Sequence, residues 1–119
     1  MAAVGSGLKG SFPLTKDGIE AEIKHIAPGV FALGNLVDDR FKTLLVGRSD
    51  KDLKQELLRR IGQTKRFKYL LYDDAEDAFK KECELYHFLK PYANKGHPQR
   101  PQNRTWTCPD CHVYTDVIR

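Results

Sequence analysis

Hydrophobic residues in the middle of the chain fall into two short runs, at residues 30–33 and 41–46, that contain valine, phenylalanine and leucine. Runs of this kind are typical of β-strands. Residues 34–40 between them carry glycine, asparagine and two consecutive aspartates, which favour a turn. The pattern predicts an antiparallel hairpin. Before it, residues 1–11 are glycine-rich and expected to be loose, and residues 19–26 have too few apolar positions to define a helix.

A helical pattern follows the hairpin. Ser49 and Asp52 have the spacing of a capping box at its start, with aspartate in place of the preferred glutamate. Gly62 ends the pattern. One face of this predicted helix collects the apolar residues Leu53, Leu57, Leu58 and Ile61.

A third apolar run at residues 67–72 predicts another strand, and the paired aspartates after it cap a second helix that extends to about Leu89. Pro91 ends this helix, and residues 91–107 are expected to form a long ordered loop. The predicted order is strand, strand, helix, strand, helix. This order indicates an α+β fold with a small antiparallel three-stranded sheet flanked by helices.

The chain has 119 residues, of which 40% are hydrophobic and 30% charged, as in a single globular domain. We expect an N-terminal extension at residues 1–27, a core domain at residues 28–90, and a C-terminal loop and tail at residues 91–119 packed on the same domain. No apolar run approaches the roughly 20 residues of a membrane span, and the start lacks the pattern of a signal peptide. The sequence therefore predicts a cytoplasmic protein with no membrane partner.

Positive charge is concentrated at residues 48–68, which hold eight basic and three acidic side chains, in a chain whose net charge is +4. Such a block either contacts phosphate or forms a solvated helix face, and the sequence leaves both interpretations open. The candidate nucleic-acid-binding side chains are Arg48, Lys51, Lys54, Arg59, Arg60, Lys65 and Arg66.

Three cysteines and two nearby histidines predict a metal site. An odd number of cysteines without a secretory signal argues against a disulfide framework. Cys83 and His87 are four residues apart on the second helix and share one face, and Cys108 and Cys111 have the spacing of a zinc knuckle. These four residues form a candidate site for structural zinc that staples the loop to the helix, and His97 is an alternative ligand. The competing interpretation is that Cys83 is a buried hydrophobic residue and the cysteine pair is incidental.

Glu82 lies in the middle of the apolar face of the second helix when residues are placed at intervals of about 100°. A carboxylate among apolar side chains is costly unless it is paired or binds a cation. One hypothesis is a ligand of a hard divalent cation such as Mg²⁺. The other is a buried ion pair with Arg48 or Arg60, and the helical wheel does not choose between them.

The order of the elements and three short motifs resemble the GIY-YIG nuclease superfamily over about residues 28–90. The final Cys-Pro-x-Cys element with Trp106 before it is similar to a small bacterial branch of that superfamily. The three motifs are Gly29-Val30-Phe31 on the first strand, Leu45-Val46-Gly47 closing the second, and Glu82 on the second helix.

The resemblance implies a metal-dependent DNA endonuclease, a phosphodiesterase that cuts in a single hydrolytic step. It assigns Mg²⁺ or Mn²⁺ binding to Glu82 and the holding of phosphate to an arginine of the first helix. Arg48, Arg59 or Arg60 could supply that arginine, and Arg48 and Arg60 are the candidates for catalysis because Arg59 points away from the apolar face.

The chain departs from the family pattern at three positions. Phe31 and Leu45 stand where the resemblance expects tyrosines, and Glu56 stands where it expects the arginine of the first helix. Neither Phe31 nor Leu45 can accept a proton. Cleavage would therefore need another group in the role of the tyrosine, and the candidates are Tyr69, Tyr72, Tyr86 and His25.

Three functions remain open from the sequence. The first is a Mg²⁺-dependent endonuclease, the second is a domain of the same fold that binds nucleic acid without cutting it, and the third is a zinc-stabilised protein-interaction module. The first two predict a nucleic-acid partner, DNA over RNA, and the third predicts a protein partner. Binding of nucleic acid weakens steeply as salt rises, which separates the second function from the third.

Overall fold

Four strands and three helices make up the fold. In chain order the strands are β1 Lys9–Pro13, β2 Gly29–Val37, β3 Arg40–Ser49 and β4 Arg66–Leu71, and the helices are α1 Lys16–Glu22, α2 Leu53–Arg59 and α3 Ala75–Leu89. The strands form one antiparallel sheet in the order β1-β4-β2-β3. The structure is a computed structural model that describes residues 7–91, 93–94, 96–101 and 104–111. The predicted α+β class is confirmed.

The prediction of three strands is wrong, because β1 adds a fourth strand beside β4. Its sequence, KGSFP, contains glycine and proline and shows no apolar pattern. Pairing and aromatic contacts hold it instead, since the ring of Phe12 lies 5.8 Å from that of Phe67 and 6.1 Å from that of Tyr69. Part of the predicted N-terminal extension is thus built into the sheet.

Helix α1, which the apolar spacing did not define, is short but capped. Thr15 Oγ1 accepts a hydrogen bond from the backbone N–H of Gly18 at 3.0 Å. The side chains of Ile19 and Ile23 are fully buried. Two buried isoleucines and one cap are enough because the helix packs on a preformed sheet rather than standing alone.

The predicted hairpin and both predicted helices are present. Asp38 and Asp39 at the hairpin turn have φ angles of 52° and 65°, the left-handed values that a tight two-residue turn requires. Asp52 caps α2 by accepting from the N–H of Gln55, and Asp74 caps α3 by accepting from the N–H of Asp77. Asp38 and Asp39 thus form the predicted turn and Asp74 the predicted cap, but α2 begins later than predicted, because Asp52, expected three residues after a Ser49 cap, is itself the N-cap.

The helices cover both faces of the sheet. One face packs against α1 and α2 through a buried cluster of Leu14, Ile19, Ile23, Phe31, Leu33, Leu53, Leu57, Phe67 and Tyr69. The opposite face packs against α3 through Val30, Ala32, Val46, Ala78 and Leu85. This second layer fixes α3 next to the end of β3, and the functional residues meet there.

Residues 93–94 and 96–99, here called the strap, follow α3, and residues 93–94 contact the outer edge of β3. The N–H of Ala93 donates to the carbonyl of Leu44 at 2.7 Å. The side-chain amide of Asn94 accepts from the N–H of Val46 at 2.9 Å and donates to its carbonyl at 3.0 Å. Residues 112–119 of the predicted C-terminal tail lie outside the described residues. Among the described helices, none has the length and hydrophobicity to cross a bilayer.

Candidate metal centre and adjoining cleft

Four side chains from three parts of the chain converge beside α3. His87 comes from the last turns of α3, His97 from the strap, and Cys108 and Cys111 from the turn beyond it. One potential ligand atom from each of the four lies within 4.8 Å of all the others. The residues present are therefore close enough to bind a metal ion.

The imidazole of His97 has the orientation that a metal ligand needs. His97 Nδ1 lies 2.8 Å from the carbonyl of Pro98, and its Nε2 lies 3.3 Å from Cys111 Sγ. A carbonyl on one ring nitrogen fixes the proton there and leaves the other nitrogen as a ligand. His87 Nε2 is buried and has no hydrogen-bond partner among the described atoms. A buried polar atom without a partner is costly, and coordination to a metal would satisfy it.

The distances also suit a tetrahedral ion. With zinc bonds of about 2.3 Å to sulfur and about 2.0 Å to nitrogen, ligand atoms in a tetrahedron lie roughly 3.3–3.8 Å apart. The separation of Cys111 Sγ from His97 Nε2, 3.3 Å, already lies at that value. The remaining pairs of ligand atoms lie within 4.8 Å of one another.

Cys83 lies next to this group but not in it. The structure brings together three of the four sequence-predicted ligands, His87, Cys108 and Cys111, and adds the alternative ligand His97. Cys83 is fully buried and packs with Phe79 and Cys108. Burial, followed by a hydrogen bond to Cys108, raises the pKa of the Cys83 thiol far above its ordinary value. All three cysteines are free, as expected for a chain without a disulfide framework.

Glu82 is held by Arg48, which is the second of the two hypotheses for this residue. Arg48 Nη1 donates to Glu82 Oε1 at 2.7 Å, and Arg48 Nε donates to Asp50 Oδ1 at 2.7 Å. A third nitrogen, Nη2, donates to the carbonyl of Gln99 in the strap at 2.6 Å. The two paired side chains are only 10% and 9% exposed. The guanidinium also lies 4.9 Å from the centre of the Phe79 ring.

Burial and pairing act in opposite directions on this ion pair. Burial raises the pKa of Glu82, and the hydrogen bond from Arg48 only partly offsets it. For Arg48, burial would lower the pKa, but the bonds to Asp50 and Glu82 outweigh burial and raise it. The arginine stays charged in all conditions, so the carboxylate is the member whose protonation can change.

The ion pair forms the floor of a cleft with a volume of about 580 Å³. Gly47, Asp50 and Arg60 also line the cleft, and so do the described residues of the strap. Arg60 lies over the ring of Phe31, at 5.3 Å from its centre. The cleft is therefore lined both by residues of the family-like motifs and by residues of the strap, which carries His97 of the candidate metal group.

The positions that depart from the family pattern have structural roles. Phe31 is fully buried in the core. Glu56 pairs with Arg59 and with Arg60, whose Nε lies 2.9 Å from Glu56 Oε2. Burial alone would raise the pKa of Glu56, but the hydrogen bonds from the two arginines outweigh burial and lower it.

No tyrosine is among the described residues that line the cleft. The hydroxyl of Tyr69 points to Glu22, with its oxygen 3.1 Å from Glu22 Oε1. Tyr72 and His25 line a separate cavity. Tyr86 lies beside the two histidines of the metal group. The structure thus brings none of the four candidate substitutes to the cleft.

Internal contacts already engage much of the basic block. Arg48 is in the buried pair, Arg59 and Arg60 bind Glu56, and Arg66 donates to Ser11. Lys51 and Lys65 are exposed, Lys54 is half-buried, and the side chain of Arg59 is 64% exposed despite its pairing. The exposed cations available to a phosphate are fewer than the sequence predicts.

Comparisons of the chain with models of protein families, with curated proteins and with solved structures gave no match. The resemblance to GIY-YIG nucleases therefore stays a prediction that depends on the motifs quoted above.

Proposed function

We propose that the chain is a zinc-stabilised domain that binds nucleic acid, DNA in preference to RNA, without cutting it. The observation that carries the proposal is the buried contact of Arg48 with Glu82 at the floor of the cleft. This contact occupies the carboxylate to which the resemblance assigns a catalytic cation. With phenylalanine at position 31 and leucine at position 45, the described cleft also has no side chain in the role of the tyrosine that activates water. The preference for DNA follows from the resemblance alone.

Nucleic-acid binding is supported by the charge around the cleft. The chain carries a net charge of +4, and phosphate contacts need only exposed cations. Lys51 is exposed and follows Asp50, which lines the cleft. Arg60 lines the cleft itself and is 28% exposed. These two side chains are the expected phosphate contacts.

Zinc is supported by the donor set. Two thiolates and two imidazoles in a closed group suit tetrahedral Zn²⁺ better than the oxygen-seeking cations. A zinc ion bound by His87, His97, Cys108 and Cys111 would join the end of α3 to the strap and to the turn that follows it. Its role would be structural, because all four positions around the ion would be filled by the protein.

Elemental analysis and unfolding measurements test the zinc site. We expect about one zinc per chain, and about 4 kcal/mol of stabilisation when free zinc is 1,000-fold above its dissociation constant. The Cys108→Ser variant should lose the metal, whereas Cys83→Ala should keep it because Cys83 lies outside the group of four. A wild-type protein without metal, or one whose stability a chelator leaves unchanged, would contradict the site.

Fluorescence anisotropy with labelled duplex DNA tests nucleic-acid binding. The logarithm of the association constant should fall with the logarithm of the salt concentration, with a slope of roughly −0.9 per phosphate contact. Lys51→Ala and Arg60→Ala should each reduce that slope by about 1. Lys24, which is exposed after α1, offers a matched control, and Lys24→Ala should leave the slope unchanged. Binding that does not depend on salt would refute the nucleic-acid role.

Plasmid nicking in Mg²⁺ or Mn²⁺ tests the absence of cleavage. Wild-type protein and the Glu82→Ala variant should both leave the plasmid intact. Nicking by the wild type that disappears in the variant would show that the domain is an endonuclease and that Arg48 yields the carboxylate to a cation.

A protein-interaction module is the second candidate, and it is favoured by an apolar pair at the end of the hairpin. Leu36 and Val37 are adjacent in β2 and are 46% and 50% exposed. They point to opposite faces of the strand, and an interface built on either would bind with little dependence on salt. The salt series above therefore also separates this candidate from the first.

A further inference from the structure

The strap belongs both to the cleft and to the candidate metal group. It forms one wall of the cleft through residues 93–94 and 96–99, and it carries His97, a member of the metal group. No described residue of the strap lies in a helix or a strand. The strap is therefore held by individual hydrogen bonds, such as those of Ala93 with Leu44 and of Asn94 with Val46, and not by a regular element.

The contacts of the strap reach the residues that build the cleft. Asn94 binds both backbone groups of Val46 through its side-chain amide. Gln99, two residues beyond His97, accepts a hydrogen bond from Arg48 Nη2 at 2.6 Å. The same arginine holds Glu82. An interaction that positions His97 therefore also positions the carbonyl of Gln99, which accepts a hydrogen bond from Arg48.

A metal ion would position His97 in this way, because it would close two loops of the chain at once. It would join His97 to His87 on α3 and also to the Cys108–Cys111 turn. Ordering the strap costs conformational entropy. The bonds to the ion would offset part of this cost, which the strap contacts would otherwise have to offset alone. Without the ion, His87 Nε2 is left buried with no partner, which favours departure of the strap.

We propose that metal occupancy assembles the cleft, so that zinc and nucleic acid bind to this chain cooperatively. The inference rests on the proposed function, since it names the regulation of the same site. In the zinc-bound form the strap is closed and the cleft wall is complete. In the metal-free form the strap leaves β3, and Val46 and Arg48 lose their strap contacts. By linkage, nucleic acid then raises the affinity for zinc by the same factor by which zinc raises the affinity for nucleic acid.

Amide hydrogen exchange tests the first half of this proposal without any nucleic acid. The N–H of Val46 should exchange at least tenfold faster after zinc is removed, whereas the N–H of Leu70, paired in the sheet centre with Val30 of β2, should change little. His97→Ala should reproduce the faster exchange in the presence of zinc, and His25→Ala, at a separate cavity, should not. Equal exchange at Val46 in zinc-loaded and metal-free protein would overturn the proposal.

Affinity measurements test the second half. Labelled DNA should bind the zinc-loaded chain at least fivefold more tightly than the metal-free chain or His97→Ala, and equal affinities would overturn the coupling. Metal content is measured on the same samples, and the single tryptophan, Trp106, reports on the metal group because it packs against the buried cluster of Phe79, Cys83 and Cys108. Wild-type protein that binds no zinc refutes the zinc site itself, and zinc-loaded protein that binds no DNA refutes the proposed function. Failure of the coupling alone appears as normal zinc content with equal DNA affinity.

Discussion

Removal of Arg48 should be more damaging than removal of its partner Glu82. In an Arg48→Met variant the Glu82 carboxylate, 9% exposed, loses the ion pair that holds it. Breaking a buried pair in this way costs about 3–5 kcal/mol, because the remaining charge is buried and uncompensated. In a Glu82→Met variant, by contrast, Arg48 keeps its bonds to Asp50 and to the carbonyl of Gln99. We expect that loss to be about 1–3 kcal/mol.

The double variant separates pairing from packing. Arg48→Met with Glu82→Met removes both charges and leaves two flexible apolar side chains beside the ring of Phe79. Replacing a whole buried pair by apolar residues is often neutral or stabilising. The double variant should therefore be at least 1 kcal/mol more stable than Arg48→Met alone, and the two substitutions should be clearly non-additive.

The loss in Arg48→Met should depend on pH. Burial raises the pKa of Glu82 even with Arg48 present, and the folded state then binds more protons than the unfolded state. A group whose folded pKa lies above its unfolded value adds stability at low pH, and that stability is lost as pH rises through the folded pKa. The destabilisation of Arg48→Met should accordingly be largest at neutral pH and shrink as pH falls toward the ordinary carboxyl range.

Urea unfolding at several pH values with zinc present, followed by the fluorescence of Trp106, measures these differences. Zinc must be kept saturating so that metal loss does not enter the comparison. A loss below 1 kcal/mol for Arg48→Met, or a larger loss for Glu82→Met than for Arg48→Met, would refute the reasoning.

Two further substitutions test the core and α2. Gly47→Ala would place a Cβ atom 2.5 Å from the ring of Phe31, so it should destabilise the fold by about 1–3 kcal/mol in urea unfolding; Gly96→Ala, where no atom lies within 4 Å, should cost far less. Glu56→Gln should lower the free energy of unfolding by less than about 1 kcal/mol at neutral pH. Because the pKa of Glu56 is lowered below 4.5, that loss should fade as pH falls through the folded pKa. A series of thermal melts at different pH values, with Glu84→Gln as the control, would show whether it does.

The sequence predicted elements whose signals lie within a few neighbouring residues. The helical period and paired aspartates before Ala75 predicted α3, and the two aspartates at positions 38 and 39 predicted the hairpin turn. β1 escaped prediction because its five residues carry no apolar alternation and its stability comes from pairing with β4, a segment more than fifty residues away. The local sequence pattern indicates the conformation that a segment prefers by itself, whereas β1 is stabilised by its pairing with another segment.

The candidate site also contains features that the local sequence predicted and features that it did not. The position of Glu82 on an apolar face predicted that it needs a partner, and Arg48 was one of two candidates. The sequence placed Cys83 in the metal group with His97 as an alternative, because helical spacing does not reveal the path of a loop without periodicity. The loop brings His97 to the group, and Cys83 turns into the apolar layer beside Phe79.

The outer edge of β3 gives the metal centre a further consequence. An edge strand presents unpaired N–H and carbonyl groups that can template pairing with another chain. Here Ala93 and the side chain of Asn94 cap that edge at Leu44 and Val46. If the strap departs when the metal is lost, as proposed, the metal-free protein exposes a bare strand edge and becomes prone to aggregation. Bound zinc would then keep this chain soluble in the cell, and a shortage of the metal would be visible as insoluble protein.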